Sequence, residues 1–339
     1  MKKLLTIVVP TYNMESLLPR CLDSFLLKEE LMSMMEVIVV NDGSKDRSSE
    51  IAHNYVLEYP NTYQVIDKLN GNYGSYINAA LKIATGKYFR ICDADDCYNN
   101  TNLEKYLCFL SETDADIVFS PFNTYVADDL VSTFEVPGFL HDDVYNIDDL
   151  NWRDPRISIF RAMHSMAIKR EILVNNNYSQ SEGISYSDTQ FVFYSCLYAS
   201  TCTFFKNAIY LYFLGRGGQT MSEKAIINSS LHFYINAKKM LEDYLKNEHK
   251  LSDNRAILLI GSIISCVRFF SHLVLRDLPY NKDRTQKLEE LFELIGKTQR
   301  KTYIESLVSN NKSYKLWHKY HFPAMLVNML CVKRWILNR

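Results

Sequence analysis

The chain has 339 residues, with 38 basic against 39 acidic side chains and a formal net charge of −1. That length suits one large α/β domain plus an appended part, and the charge balance argues against a general nucleic-acid binder. A hydrophobic fraction of 47% is ample for a packed core, and eight cysteines without a C-x-x-C pair read as reduced, buried thiols of a cytosolic protein (Cys92, Cys108, Cys196, Cys202 and Cys266 in apolar surroundings).

Leu4–Val9 predicts a first strand, closed by Pro10, which has no N–H for the ladder. Lys2-Lys3 followed by apolar residues has the charge order of an export signal, but the run stops at Pro10 without a small-residue cleavage site. Glu15–Leu27 predicts a helix with Leu17, Leu18, Cys21, Leu22 and Phe25 on one face. Glu36–Val40 is the second strand, ending in Asn41-Asp42-Gly43-Ser44, and Asp46 is placed to cap a helix from Arg47 to Glu58. Thr62–Ile66 is the third strand. A glycine- and asparagine-rich loop, Asn70 to Ser75, leads into a helix from Tyr76 to Ala84, with Gly86 as its left-handed cap. Tyr88–Cys92 is the fourth strand and runs into Asp93-Ala94-Asp95-Asp96. Strand and helix alternate at short spacing, which implies a mostly parallel, Rossmann-like sheet flanked by helices.

In such a sheet the ends after Val9, after Val40 and before Asp93 share one edge and form a crevice. Tyr12 offers a flat ring for a base, and Asp42 an acceptor for a base or ribose donor. Carboxylates at Asp93, Asp95 and Asp96 repel one another unless a cation sits among them. Mg²⁺ or Mn²⁺, which take oxygen ligands and keep positions for phosphate, fit that need. A solvated acidic turn is the bland alternative. Neither G-x-G-x-x-G after the first strand nor G-x-x-x-x-G-K-[ST] occurs, so dinucleotide dehydrogenases and P-loop enzymes lose their main support.

Four segments together resemble the family-2 glycosyltransferases, inverting GT-A enzymes that move a sugar from a nucleotide-sugar donor. They are Val8-Val9-Pro10-Thr11-Tyr12-Asn13, Val39 to Asp46, Asn70 to Asn78 leading to Ala84-Thr85-Gly86-Lys87-Tyr88, and Asp93-Ala94-Asp95-Asp96. The resemblance covers roughly the first third of the chain. It implies a GT-A fold, with Pro10, Thr11, Tyr12 and Asp42 lining the nucleoside pocket and Asn72 contributing from the loop. It also makes Asp95 the metal ligand with Asp93, Asp93 lying nearer the ribose and Asp96 in support. Many members have Ala-Arg-Asn where this chain has Tyr76-Ile77-Asn78, so a basic donor contact is missing here, with Lys68 or Lys45 as substitutes.

Further on, Asp114–Ser120 predicts a strand, and the acidic stretch Val126–Asp149 (Asp128, Asp129, Asp142, Asp143, Asp148, Asp149) a solvated excursion. Arg161–Ile168 predicts a strand whose His164 reads as a core histidine more readily than a catalytic one. Around Ser187-Asp188, relatives often have Glu-Asp opening a helix, with the Asp as general base; here Asp188 and a helix from Thr189 to Tyr198 fit, and Ser187 replaces the Glu. A sugar hydroxyl is a poor nucleophile and needs such a carboxylate to take its proton. A helix cap is the alternative role for Asp188. Arg216, in a basic loop, is placed to reach a diphosphate or simply to leave the domain.

The expected organisation is a GT-A catalytic domain over 1–222, with a donor half at 1–97 and an acceptor half at 98–222. A helical region over 223–339 follows, its helices at Ile226–Leu245, Ile257–Leu275 and Thr285–Ile295 and one near the end. No uncharged apolar stretch reaches the ~20 residues needed to span a bilayer. The tail 312–339 interleaves Lys312, Lys315, Lys319, Lys333, Arg334 and Arg339 with Trp317, Tyr320, Phe322, Met325 and Trp335. Such a segment suits peripheral contact with the inner face of a membrane, or packing on the protein. The function expected is transfer from a nucleoside diphosphate-sugar, of UDP type, to a glycan or lipid-linked hydroxyl, with no nucleic-acid partner. A sugar nucleotidyltransferase and a catalytically silent sugar-binding module are the competing classes.

Overall fold

The computed structural model describes residues 3–126, 129–140, 143–215, 223–308, 312–321 and 323–328. The chain divides into two compact units, 1–217 and 218–339.

The described residues of the first unit contain twelve strands: β1 (Leu5–Thr11), β2 (Met35–Asn41), β3 (Tyr63–Asp67), β4 (Tyr88–Ile91), β5 (Cys97–Tyr98), β6 (Ile117–Phe119), β7 (Phe122–Val126), β8 (Asp129–Thr133), β9 (Tyr145–Asn146), β10 (Met166–Lys169), β11 (Thr201–Phe204) and β12 (Tyr210–Leu214). Its helices are α1 (Leu18–Asp23), α2 (Glu29–Met32), α3 (Ser48–Glu58), α4 (Asn72–Ile83), α5 (Asn100–Glu112), α6 (Pro155–Ser158), α7 (Arg170–Asn175) and α8 (Asp188–Tyr198). An eight-stranded sheet runs β3-β2-β1-β4-β10-β6-β11-β9, and a four-stranded one runs β5-β12-β7-β8. The first four strands of the large sheet are mutually parallel, and β10 enters antiparallel between β4 and β6. The sheet is therefore mixed overall and parallel where the crevice forms. β1, β2 and β4 are buried along their whole length, which is why they read as largely apolar runs, with Thr6, Glu36 and Arg90 as buried exceptions.

Several local expectations shift. β1 runs on through Pro10 and Thr11, which pair with Val40 and Asn41. The first helix is confined to α1, with a proline at its first turn, because residues 13–15 are instead tied to the loop after β2. There Asn13 and Met14 donate to the Ser44 and Ser48 hydroxyls, and Glu15 to Asp46. Asp46 is not the cap: α3 starts at Ser48 with Arg47 at its N-cap and no side-chain cap bond, and Asp46, one residue earlier, accepts from the Ser48 amide at 3.0 Å. α4 begins four residues before the predicted start, since the Asp42 carboxylate reaches across to satisfy its first amides.

Gly86 is not a left-handed cap. Its φ is ordinary, and a Cβ there would lie 2.6 Å from the Thr6 backbone nitrogen, so the glycine serves close packing against β1. The stretch 161–168 is a 3₁₀ turn, Met163–Ser165, before β10 rather than one strand. The acidic excursion contributes β8, which pairs with β7, and β9, which pairs with β11. Asp128 and Asp142 lie outside the described residues. Cys108 is exposed on α5, whereas the other described cysteines are buried thiols.

The second unit is helical: α9 (Glu223–Asn228), α10 (Ser230–Asn247), α11 (Asp253–His272), α12 (Lys282–Gly296), α13 (Lys301–Val308) and α14 (Lys312–Tyr314). Phe233 of α10 stacks on Phe269 of α11 at 5.0 Å, and Lys238 of α10 pairs with Glu290 of α12 at 2.5 Å. Asp253–Asp277 is long and apolar enough to cross a membrane, but 72% of its most apolar window is buried inside the protein, as in a core helix. At the start of the tail, Tyr314 and Trp317 pack on Phe292 at 5.2 and 5.3 Å. Lys333, Arg334, Trp335 and Arg339 lie outside the described residues.

Candidate active site

The parallel ends of β1, β2 and β4 open on one edge, and the loops beyond them carry the expected residues. Pro10 and Thr11 are buried at the end of β1, and Tyr12, just past it, is 41% exposed. The lacing of residues 13–15 to 44–48 fixes the backbone that presents this ring.

Asp42 is fully buried. Both of its oxygens lie within 3.0 Å of the Gly71 amide, and Oδ2 also accepts from the Asn72 amide. Lys68 pairs with Oδ1 at 2.5 Å, while its ammonium also donates to the Leu69 carbonyl and the Ser75 hydroxyl. The first turn of α4 is thus held by an anion at its positive end. Asn72 begins that turn with φ +63, and its side chain accepts from the Tyr73 amide. Lys68, a candidate donor-site cation, is committed to this clasp.

Carboxylate oxygens of Asp93, Asp95 and Asp96 all lie within 4.8 Å of one another. They play different parts. Asp96 is buried, its oxygens accepting from the Tyr210 hydroxyl at 2.6 Å and the Phe213 amide at 2.8 Å. Burial, and then the neighbouring Asp93 charge, push its carboxyl up to about 8. Asp96 therefore anchors the acidic turn to β12. Asp93 and Asp95 are only partly buried. Arg20 of α1 holds the turn from the side, donating to the Asp95 carbonyl at 2.8 Å while its guanidinium stacks on Phe213. The donor set, hard oxygens on a tightened turn, suits Mg²⁺ or Mn²⁺.

Tyr73, on α4, connects this turn to the second half of the site. Its hydroxyl donates to Asp93 Oδ1 at 2.9 Å and lies in the electrostatic field of Asp188. Asp188 is the first residue of α8, where the backbone amides of Asp188 and Thr189 hydrogen-bond its carboxylate. Desolvation outweighs those bonds and raises its pKa above the ordinary carboxylate value. Glu182, the other carboxylate of that loop, is exposed and accepts from Asn78 at 2.8 Å. Arg216 lies outside the described residues.

His164 is a packed neutral histidine. Its ring lies 4.0 Å from Phe122 and stacks on Tyr212, and burial, then the Arg90 charge, push its pKa down to about 3. Arg90 itself is fully buried in β4, donating to the His164 carbonyl at 2.7 Å and to the hydroxyls of Ser120 and Tyr106. Sequence reading missed Tyr73, Arg20, Arg90 and Tyr210. Only Arg90, a charge inside an apolar strand, carried a signal.

A parallel edge with a loop clasped by Asp42, a triad of carboxylates and an Asp of raised pKa at a helix start defines a GT-A type α/β unit. The description "Glycosyl transferase family 2" matches residues 6–173, and the chain belongs to that family. It is 35% identical over 127 residues to uncharacterized glycosyltransferase MG025 of Mycoplasma genitalium, covering 37% of this chain and 41% of that protein. A poly(ribitol-phosphate) beta-glucosyltransferase of Bacillus spizizenii is 35% identical over 114 residues, 33% of this chain and 18% of the relative. The matched segments thus span less than half of these relatives.

Among solved structures, S. aureus TarS 1–349 in complex with UDP-GlcNAc aligns with a TM-score of 0.68 at 18% identity, over 96% of this chain and 88% of that one. The mannosyltransferase PcManGT of Pyrobaculum calidifontis, in complex with GDP-Man and Mn²⁺, aligns with a TM-score of 0.53 at 14% identity, over 97% and 87%. These likenesses establish the fold.

Proposed function

We propose that the protein is an inverting glycosyltransferase that moves a sugar from a nucleoside diphosphate-sugar to a hydroxyl of a glycan or lipid-linked acceptor in cell-surface polysaccharide synthesis. The observation that carries this reading is the Tyr73 hydroxyl, which donates to Asp93 and lies in the electrostatic field of Asp188, a carboxylate at a helix start whose pKa is raised. Uridine is the first nucleoside to test, because the TarS structure contains UDP-GlcNAc. Tyr12 covers the base, and the clasped α4 turn forms the pocket wall.

Asp95 and Asp93 would hold Mg²⁺ or Mn²⁺, with Asp96 bracing the turn behind them. Such an ion supplies charge stabilisation for the departing diphosphate. Asp188 accepts the proton of the acceptor hydroxyl as that oxygen bonds to the anomeric carbon and the bond to the diphosphate breaks. One base and one displacement give inversion. Its raised pKa suits it to this task, since a strongly ionised carboxylate is a weak base.

Asp188→Asn tests the assignment. Asp188 is the first helical residue, with Ser187 at the N-cap, and Asn keeps its size and a side-chain oxygen for the same two amides, so melting temperature and nucleotide binding should stay near wild type. Transfer should fall on the order of 10²-fold or more. Full transfer by Asp188→Asn beside a dead Glu182→Gln would move the base to Glu182.

The proposal includes peripheral contact with an anionic membrane surface through the tail, where Lys315, Tyr320, Met325 and Leu326 are exposed. Sedimentation with phosphatidylglycerol vesicles tests it, and no binding at low salt removes that part.

A further inference from the structure

Ser187 precedes the base, and it is fully buried. It stands at the N-cap of α8 yet makes no capping bond. Its hydroxyl instead accepts from Gln180 Nε2 at 3.0 Å. Gln180 is 1% exposed, and its Oε1 accepts from the Tyr178 hydroxyl at 2.8 Å, so both ends of the amide are engaged. The Gln180 backbone is gripped by Asn78 of α4, whose Oδ1 accepts from the Gln180 amide while its Nδ2 donates to the Gln180 carbonyl, each at 2.9 Å.

A second buried amide, Gln190 of α8, closes the arrangement. Its Oε1 accepts from the Ser181 amide and its Nε2 donates to the Ser181 hydroxyl, both at 3.1 Å. Backbone bonds tie the same segments, with the Gly183 amide donating to the Gly71 carbonyl at 2.8 Å. Buried amides left unsatisfied are costly, and a satisfied network holds one geometry in preference to others. The chain also enters α8 through Tyr186 at φ +59, a conformation that persists for a bulky residue only when its surroundings impose it.

We propose that Gln180 is the positioning residue for Asp188: through Ser187 it fixes the start of α8 and locks that start to α4, whose first turn carries the contacts to Asp42 and Asp93. The inference rests on the reading of Asp188 as base. Ser187 stands where relatives have a glutamate before the base, and with Gln180 bonded to it orients the carboxylate without adding a second charge. The donor-side clasp and the base thereby belong to one rigid assembly of α4, residues 178–183 and α8.

The test uses the full chain with Gln180→Met, which keeps the volume and removes both side-chain bonds, and Ser187→Ala, which removes only the acceptor. Amide exchange at Asp188 and Thr189 should accelerate at least tenfold in Gln180→Met, with exchange in β1 and β2 unchanged. The Kd for UDP should stay within twofold. UDP release from UDP-glucose with Mn²⁺ should lose at least tenfold in kcat without a rise in donor KM. Gln180→Met added to Asp188→Asn should cost less than twofold more, because a residue acting through Asp188 has nothing left to act on. Ser187→Ala should move each readout in the same direction, and it decides the matter if Gln180→Met does not fold. Unchanged exchange at 188–189, or independent losses in the double variant, overturns the proposal. Intact turnover in Asp188→Asn alone overturns the base assignment instead, while the exchange result still decides whether Gln180 holds the start of α8.

Discussion

Gly74 is the point where α4 meets the base segment most closely, and its replacement by alanine has a sign opposite to the usual one. An alanine Cβ there would lie 2.0 Å from the Ser181 carbonyl oxygen, 2.7 Å from its carbon and 3.2 Å from the Gln180 carbon. All three are backbone atoms, so no side chain can swing aside, and α4 must part from residues 180–181 by about 1 Å or more. Overpacking of this kind costs ~1–3 kcal/mol. The two Asn78–Gln180 bonds, which join α4 to that segment, stretch with it at about 1 kcal/mol each. Helix propensity returns up to ~1 kcal/mol. The net expectation for Gly74→Ala is a loss of about 2–4 kcal/mol, with turnover falling further than nucleotide binding. Gly296→Ala is the control: it ends α12, and its Cβ meets nothing within 4 Å. It should be neutral or stabilising by up to ~1 kcal/mol. Urea unfolding should be followed by amide exchange in β1 and in α12 separately, because the two units need not unfold together. Gly74→Ala as stable as wild type would refute the close approach.

Tyr12→Ala should weaken UDP binding by ~1–3 kcal/mol if the ring stacks on the base, a range taken from base–aromatic stacking; calorimetry returning an unchanged Kd would make Tyr12 only an exposed turn residue. Asp95→Asn should abolish Mn²⁺-dependent turnover and leave the fold intact, because Asp95 is partly exposed at the crevice; full activity at limiting Mn²⁺ would rule it out as a ligand. His164 gives a pH prediction. Its folded pKa of about 3 lies below the ordinary histidine value of 6.5, so below pH 6.5 the unfolded chain takes up a proton that the folded chain refuses. Stability should fall with pH through that window, by at most ~1.4 kcal/mol per unit for this residue. His164→Phe should flatten the fall, and an unaltered acid limb would mean that the ring titrates normally.

The donor half was legible because its signals are local. Buried parallel strands require apolar runs, and the turns at their ends need Asp, Asn and Gly whatever the rest of the chain does. The start of α4 was placed late because its cap comes from Asp42, some thirty residues upstream; capping rules look only at neighbours in sequence. Gly86 was assigned a left-handed conformation because a glycine after a helix usually has one, whereas here the constraint comes from Thr6 across the sheet. His164 could be read as core, but not the reason it stays neutral, since its neighbours Phe122, Arg90 and Tyr212 come from three different strands.

In the proposed reaction the same distinction separates the groups that would react from those that would position them. Asp93, Asp95 and Asp188 announce themselves as carboxylates at a strand end and a helix start. Arg20, Tyr73 and Gln180 act by reaching across the fold, and each is ordinary in its own segment. Yet these three decide what the carboxylates can do. Arg20 and Tyr73 hold the acidic turn at its Asp95 carbonyl and its Asp93 carboxylate. Gln180 holds the residue before the base. A chain keeping the motif and losing those contacts would retain the signature of the family while its base and its acidic turn drift apart. The family match over residues 6–173 covers the acidic turn, whereas Gln180 and the proposed base Asp188 lie outside it.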